Sequence, residues 1–528
     1  MIKTGRPEFD GFWPLLAGLI QKNALDVVVD GQSIRGYRAP DAPSFWIRDY
    51  SDMLRALKYM EADVCSLVRH FADTQAENGR IFDYFTVFPE KLPCERENWC
   101  KYVRVPVEAD VEYRFVKAAF LAWQAAGDDS WLQRLLPKME KALHYILDHP
   151  WYWQPETGLV KRAYTIDTWD FAYTAGRHDW LQFQIDDHTF WGYMHGDNSG
   201  YYQAFRIMET LYGYFADSRR AAWWRERANR LRRNMNRICW NGRFYTHFVK
   251  ITPVAIEGVA EADQLSLSNP MAVNRGVTGR DMAASIIREY RQRRRNSSAF
   301  AEWFSIDPPF PDGIFGDEKL KRGAYCNGGI MPLLGGELAK AALDHGFETY
   351  GLDILKRYFD MVSPNGQSYL WYFPDGTAAA KGTGTSPEAS SADAWGSSAM
   401  VYALIEGLAG IEDRLKLFQK VGISPRWLAA DIMEAEVFVD YAASAAGIGY
   451  HIRYHDDHIL LDVEIPESAV RFHVLLPPGK VGRTVTAAGR NIDFHNTTVA
   501  SSPYVDFTLK INGGTHLKIQ LDKNKVIR

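Results

Sequence analysis

The stretch 111–143, VEYRFVKAAFLAWQAAGDDSWLQRLLPKMEKAL, decides the fold. Val111, Phe115, Ala118 and Ala122 recur at helical spacing on one stripe. After the Gly127-Asp128-Asp129 turn, Leu132, Leu136, Met139 and Leu143 form a second stripe. Asp129 or Ser130 is placed to cap that second helix by accepting its free N–H groups. A helix, a short Gly/Asp turn and a returning helix make an αα-hairpin. The same grammar recurs at 199–238, where Leu211 and Phe215 close one helix and Asp217-Ser218 begin the next. It recurs at 333–362, where His345-Gly346 separates two apolar stripes. Eleven or twelve helices are predicted, among them 48–75, 277–294 and 393–412. Their uneven spacing and long loops favour a closed toroid with functional loops at one end over a regular solenoid.

Beyond about residue 430 the period switches to two. Leu461, Val463 and Ile465 alternate with Asp462 and Glu464, and Val470, Phe472 and Val474 alternate with Arg471 and His473. Pro466, Pro477-Pro478-Gly479, Gly489 and Asn512-Gly513-Gly514 punctuate these runs, which read as a small antiparallel β-sandwich. The chain thus divides into an N-terminal hairpin and linker (1–45), a mainly α toroid (46–430) and a C-terminal sandwich (431–528).

The composition of the 528 residues, 46% hydrophobic and 24% charged, is that of a soluble globular enzyme. A net charge of −4 gives no basic footprint for nucleic acid over the whole chain. Aromatic residues reach 14%, including 17 Trp, which fits a large core or a site that stacks flat sugar faces. Cys65, Cys94, Cys100, Cys239 and Cys326 are scattered and form no C-x-x-C pair, so neither a disulfide framework nor a thiolate zinc site is expected. The apolar stretch from Phe12 to Ile20 contains Pro14 and precedes no cleavage pattern, and no run of about 18 apolar residues occurs. A cytoplasmic protein with no membrane partner is expected, its oligomeric state open. No phosphate-cradling glycine motif precedes a helix, so no nucleotide cofactor is expected. Asp186, Asp187, His188 and His195 match no metal-ligand spacing, and no metal is expected.

Three loop clusters carry the chemistry. In Phe45-Trp46-Ile47-Arg48-Asp49, an adjacent Arg–Asp pair beside a tryptophan can grip vicinal sugar hydroxyls, one donating and one accepting. It can equally be a helix-start carboxylate beside a surface arginine. In Tyr164-Thr-Ile-Asp167-Thr-Trp169-Asp170-Phe171, two carboxylates bracket a tryptophan. A carboxyl packed on aromatics is desolvated, its pKa rises, and it can act as a general acid near neutrality. Asp167 can also serve as an Asx-turn or helix cap. The third cluster joins Trp371-Tyr372-Phe373-Pro374-Asp375-Gly376 to Pro387-Glu388 and to Asp393-Ala394-Trp395. Asp393 there reads as the cap of the following helix. The run Arg291–Arg295 ends a predicted helix and reads as a solvated face.

These motifs, in this order over residues 45–412, resemble the six-hairpin glycosidases: the glucoamylase, trehalase and bacterial α-L-rhamnosidase families. Phe45-Trp46-Ile47-Arg48-Asp49 is similar to the glucoamylase Trp-x-Arg-Asp, whose Arg–Asp pair holds the terminal sugar. Thr168-Trp169-Asp170 is similar to the Trp-Glu and Gly-Trp-Asp motifs that carry the general acid. Tyr325-Cys326-Asn327-Gly328-Gly329 is similar to the Tyr-x-Asn-Gly-Gly that opens a late helix, and the β module resembles the sandwich behind rhamnosidase barrels. The departure is the base: tyrosine, Tyr372, falls about where a glutamate is found, leaving Glu388 with the right side chain and Asp375 with the better spacing.

The resemblance implies an exo-acting, inverting glycoside hydrolase for an α-linked sugar, with Asp170 as acid and Glu388 or Asp375 as base. Trp46, Arg48, Asp49, Asp167, Trp169, Asn327, Trp371, Tyr372 and Trp395 would line the sugar. Three alternatives stay open. A phosphorolytic enzyme on the same toroid would replace the base by phosphate. A polysaccharide lyase would use Tyr372 or His195 as proton acceptor. A glycan-binding protein would stack sugars without turnover.

Overall fold

Among the described residues, twelve α-helices of seven or more residues carry the apolar stripes, and their lengths follow from where caps and glycines interrupt the pattern. In a computed structural model, residues 1–40, 42, 44–86, 101–178, 182–316, 320–380 and 389–523 are described. The helices are α1 (Phe12–Gln21), α2 (Ile47–Leu57), α3 (Ser66–Asp73), α4 (Val111–Ala126), α5 (Asp129–Asp148) and α6 (His195–Tyr214). They continue as α7 (Ser218–Ile238), α8 (Ser268–Asn274), α9 (Arg280–Asn296), α10 (Pro332–Asp344), α11 (Glu348–Val362) and α12 (Ala394–Tyr402).

The even-numbered helices form a closed inner ring: α2 packs on α4, α4 on α6, α6 on α8, α8 on α10, α10 on α12, and α12 back on α2. The odd-numbered helices wrap outside, each against an inner partner, as α5 on α4, α7 on α6 and α11 on α10. This is a toroid of six hairpins. Helix α1, which the sequence reading left in a hairpin-and-linker segment, packs on α12 and supplies the outer helix of the last hairpin. The predicted helix 48–75 is two helices, α2 and α3, separated by residues 58–65. The predicted helix 393–412 is α12 followed by a π-helical turn over Ala403–Leu408.

Local signals explain the turns. Gly127 closes α4 in the left-handed region (φ 72°), which a glycine adopts without a Cβ clash. The cap of α5 is Asp128, one residue before the predicted Asp129, because its side chain accepts from Trp131 N. Asp129 instead accepts from Trp123 Nε1 and Tyr214 Oη and pairs with Lys416. Asp217 caps α7 and Asp393 caps α12 in the way the sequence suggests. Helices α10 and α12 approach so closely that a Cβ on Gly336 would lie 2.3 Å from the Ala399 carbonyl carbon. Each large aliphatic or aromatic side chain fully buried in this ring contributes about 1.5–3 kcal/mol.

The C-terminal residues form one ten-stranded hydrogen-bonded sheet that begins earlier than expected, at Ile411–Asp413. Its spine is the pair His458–Leu475 and Ser502–Lys523, antiparallel along their length with an irregularity between Ile465 and Ser468. Strand Glu434–Asp440 alternates exposed and buried residues, the half-buried pattern read from sequence. Two strands were not anticipated. Lys420–Ile423 runs parallel to Ala469–Phe472, and Ile2–Lys3, from the other end of the chain, adds to the edge beside Val437. The sheet is anchored to the toroid where Ser502 and Tyr504 donate to Glu348 at the start of α11.

Candidate active site

Because direction alternates along the hairpins, all six inner helices begin at one end of the ring. Contacts between their first turns follow: Gly196 of α6 lies against Ser268 of α8, and Gly396 of α12 against Pro332 of α10. The loops that lead into these helices make the mouth of the toroid, and the expected site residues that are described belong to it or to the ring below.

Arg48, on the first turn of α2, donates through Nε and Nη2 to Asp110 (2.8 Å each) and pairs with Glu108. Among the described residues no protein group accepts from its Nη1. Burial opposes ionisation of Asp110, but Arg48, with Arg114 behind it, holds this carboxyl below the usual range. The Trp46 ring stacks on Tyr84 with centroids 4.1 Å apart, and the Arg48 guanidinium carbon lies 5.9 Å from the Trp46 ring. Asp49 follows, almost wholly buried. The Arg–Asp motif is therefore held from behind by two carboxylates that were not anticipated.

The loop 164–171 is pinned by buried polar groups. Arg162 donates to the Trp169 carbonyl (2.6 Å) and pairs with Asp197 (3.2 Å). Asp167 has a left-handed backbone (φ 46°), and its carboxylate accepts from Thr168 N, Ser268 N and Ser268 Oγ while its own N–H donates to His247 Nε2. Burial would raise its pKa, yet the facing His195 and the Ser266 and Ser268 hydroxyls outweigh that, and the carboxyl lies below its usual range. Asp167 is thus an internal knot joining this loop to the start of α8. Trp169 packs edge-on against Tyr325 (5.5 Å), which in turn meets Trp371 (6.2 Å). Asp170, next to Trp169, is half-buried at the end of this aromatic row.

The remaining expected residues separate. Asn327 is internal: its amide donates to the Phe310 and Leu320 carbonyls and its oxygen accepts from Phe310 N, which shapes the loop before α10. Tyr372 is internal too. Its hydroxyl accepts from Tyr369 N (3.0 Å), and burial pushes its pKa up. His195 is fully buried, lies 3.3 Å from Asn269 Nδ2 and stacks on Tyr245, and burial lowers its pKa. Trp395 donates to Asp52 (3.0 Å) in the ring floor. Asp375 sits on an exposed turn, where Thr377 N donates to it (2.9 Å) and holds its pKa down. Glu388 lies outside the described residues, as do Cys94 and Cys100.

Sequence reasoning missed Glu108, Asp110, Arg162 and Asp197. The run Glu108-Ala-Asp110-Val-Glu112, with acids at alternate positions leading into a helix, was a readable sign of carboxylates at a mouth. Arg162 gave no local signal, and Asp197 stood out only within the Met194-His195-Gly196-Asp197-Asn198 run, because only the tertiary fold buries the two together.

Asp197 offers a test of this buried shell. Burial raises its pKa to about 7; Asp110 and Asp167 add to the rise and Arg162 opposes it. A carboxyl whose folded pKa exceeds its unfolded value near 3.9 stabilises the fold fully only below about pH 4, and that contribution is lost as pH rises to 7. Asp197→Asn removes the loss. The urea midpoint of the variant, relative to the parent, is expected to climb between pH 4 and pH 7; a flat difference would show that Asp197 ionises freely beside Arg162.

No family profile and no curated protein matches the chain. Solved structures do. The α-L-rhamnosidase from Dictyoglumus thermophilum is 12% identical with a TM-score of 0.58, the match covering 98% of this chain and 50% of that one. The Streptomyces avermitilis α-L-rhamnosidase complexed with L-rhamnose is 12% identical with a TM-score of 0.60, covering 98% and 42%. The GH63 mannosylglycerate hydrolase from Thermus thermophilus, in complex with glucose, is 12% identical with a TM-score of 0.52, covering 75% and 99%. The toroid is the fold of these glycoside hydrolases. This chain spans half or less of the two rhamnosidases' length, and at such identity the likeness is one of fold. No described helix is long and apolar enough to cross a membrane.

Proposed function

We propose that the chain is a glycoside hydrolase that removes a terminal α-linked sugar with inversion. The observation that carries this reading is the row Trp169, Tyr325 and Trp371 at the mouth, with half-buried Asp170 next to Trp169 in the chain. Flat aromatic faces take the apolar faces of a sugar ring, and a half-buried acid beside them is suited to protonate a leaving oxygen. Arg48, fixed by Asp110 and Glu108, keeps Nη1 for a sugar hydroxyl, with Asp49 as its accepting neighbour. Carboxylates that hold the guanidinium in place lower the entropy lost when substrate binds.

Inversion needs a second carboxylate about 6.5–9.5 Å from the acid, with a water between. An exposed Asp375 whose pKa is held down by a backbone donor makes a poor base, which leaves the role to Glu388. Proton NMR of the protein with a pool of α-linked di- and oligosaccharides tests the reading. A free-sugar anomer of inverted configuration, formed equally with and without phosphate, is expected. A sugar 1-phosphate product would make the protein a phosphorylase, and sugar binding without any product would make it a glycan-binding protein.

A further inference from the structure

The charge of the chain is unevenly placed. Residues 218–296 hold 17 Arg and Lys against 6 Asp and Glu, while the rest of the chain holds 44 against 59. Of those 17, 16 are arginine, and most lie on the neighbouring outer helices α7 and α9. The two helices are tied together: Arg232 donates to the Val277 and Thr278 carbonyls just before α9, and Asn236 to Val277.

On α7, Arg219, Arg230, Arg233 and Arg237 fall within about 60° of one another at 100° per residue and extend for about 27 Å. All four are exposed, as is Arg225, and none of the five lies within 4 Å of a carboxylate among the described residues. Arg230, Arg233 and Arg237 are like charges at spacings of three and four, which weakens an isolated helix. The fold therefore keeps a mutually repelling row on its surface with no carboxylate within 4 Å to relieve it among the described residues. The upper end of this wall reaches the rim. Strand Phe248–Lys250, which follows α7, pairs with Trp191–Met194, and that strand leads directly into the first turn of α6 at the mouth.

We infer that the α7–α9 wall binds an acidic polysaccharide, the polyanionic remainder of the glycan whose end enters the mouth. This rests on the glycosidase reading for the role of the chain's end, but the binding itself does not. Guanidinium forks pair with carboxylates and sulfates through two parallel hydrogen bonds, which explains arginine in place of lysine. A nucleic acid fits less well. Trp223, the aromatic on this wall, is covered by the Arg227 guanidinium at 3.7 Å and cannot stack a base. A membrane fits less well because the exposed positions of α7 are arginine, serine, alanine, asparagine and one glutamate, with no large apolar side chain to insert.

The test uses the full chain and alginate oligomers of about ten units, titrated calorimetrically at low and moderate salt. Binding is expected to weaken steeply with salt, and to vanish for the same oligomers with their carboxyls reduced to alcohols. The triple variant Arg230→Glu, Arg233→Glu, Arg237→Glu, at exposed positions, is expected to lose at least tenfold in affinity with an unchanged circular dichroism spectrum. Its turnover of a short neutral glycoside is expected to match the parent. Parent-like alginate binding by the variant would overturn the inference, as would tighter binding of duplex DNA or of phosphatidylserine vesicles than of alginate. Alginate binding without turnover of any glycan would leave the wall and remove the glycosidase, whereas turnover without alginate binding would do the reverse.

Discussion

Asp170→Asn is expected to lower turnover of an α-linked substrate by about 10²–10⁴-fold, the range over which a positioned general acid acts. Asparagine keeps the size and the polar contacts of the side chain but has no proton to give. The loss is therefore expected in kcat and in kcat/KM together, with KM little changed, because the interaction removed is made in the transition state. Substrates with good leaving groups sharpen the test. A leaving phenolate needs little protonation, so the variant is expected to recover most of its rate on an activated aryl glycoside while remaining slow on a disaccharide. Asp375→Asn is the control, since its carboxyl sits on an exposed turn bonded to Thr377 N. An Asp170→Asn protein within about threefold of the parent on the disaccharide would take the acid role away from this residue.

The ring was legible because its signal is periodic and local. Apolar stripes three and four residues apart, broken by Gly127, Asp217 and Gly346, mark hairpins without reference to tertiary structure. Boundaries were less so. Helix α1 looks like a short apolar segment with Pro14, and only its packing on α12 makes it part of the toroid. Strand Ile2–Lys3 is two residues long and finds its partner more than 400 residues away. In the site, motif reading assigned Arg48, Asp49, Trp169 and Asp170 to the sugar together with Asp167, Asn327 and Tyr372. Each of the last three has its side chain engaged by backbone or by a hydroxyl and so helps shape its loop. A residue type beside a motif does not reveal which way its side chain turns. The carboxylates behind Arg48 were hidden for the converse reason, since Glu108 and Asp110 stand some sixty positions from the arginine they hold.

Asp52→Ala is expected to cost the fold about 3–5 kcal/mol, the penalty for removing one side of a buried ion pair and leaving its partners charged. Asp52, on α2, accepts from Arg114 Nη1 (2.8 Å) and pairs with Lys117, both on α4, and accepts from Trp395 Nε1 (3.0 Å) on α12. It therefore joins three helices at the seam where the ring closes. Beside it, Arg55 of α2 pairs with Glu337 of α10, across helices that are not neighbours in the ring, so these charges occupy its hollow centre. Burial opposes ionisation of Asp52, but Arg114, Lys117 and Arg55 hold its carboxyl well below the usual range. The pH dependence separates this network from mere packing. Burial lowers the pKa of Lys117 to about 7, while Asp52 works in the opposite direction. A lysine whose folded pKa lies below its unfolded value near 10.4 loses stability for the fold as pH falls from 10.4 to that folded value. Without Asp52 the folded pKa drops further, and the loss continues below pH 7. The destabilisation by Asp52→Ala, measured from urea midpoints, is thus expected to be larger at pH 6 than at pH 9, where Lys117 is neutral in both proteins. An equal penalty at both pH values would mean that Lys117 carries no charge in the folded ring. A penalty under 1 kcal/mol at both would mean that the ring closes without its central carboxylate.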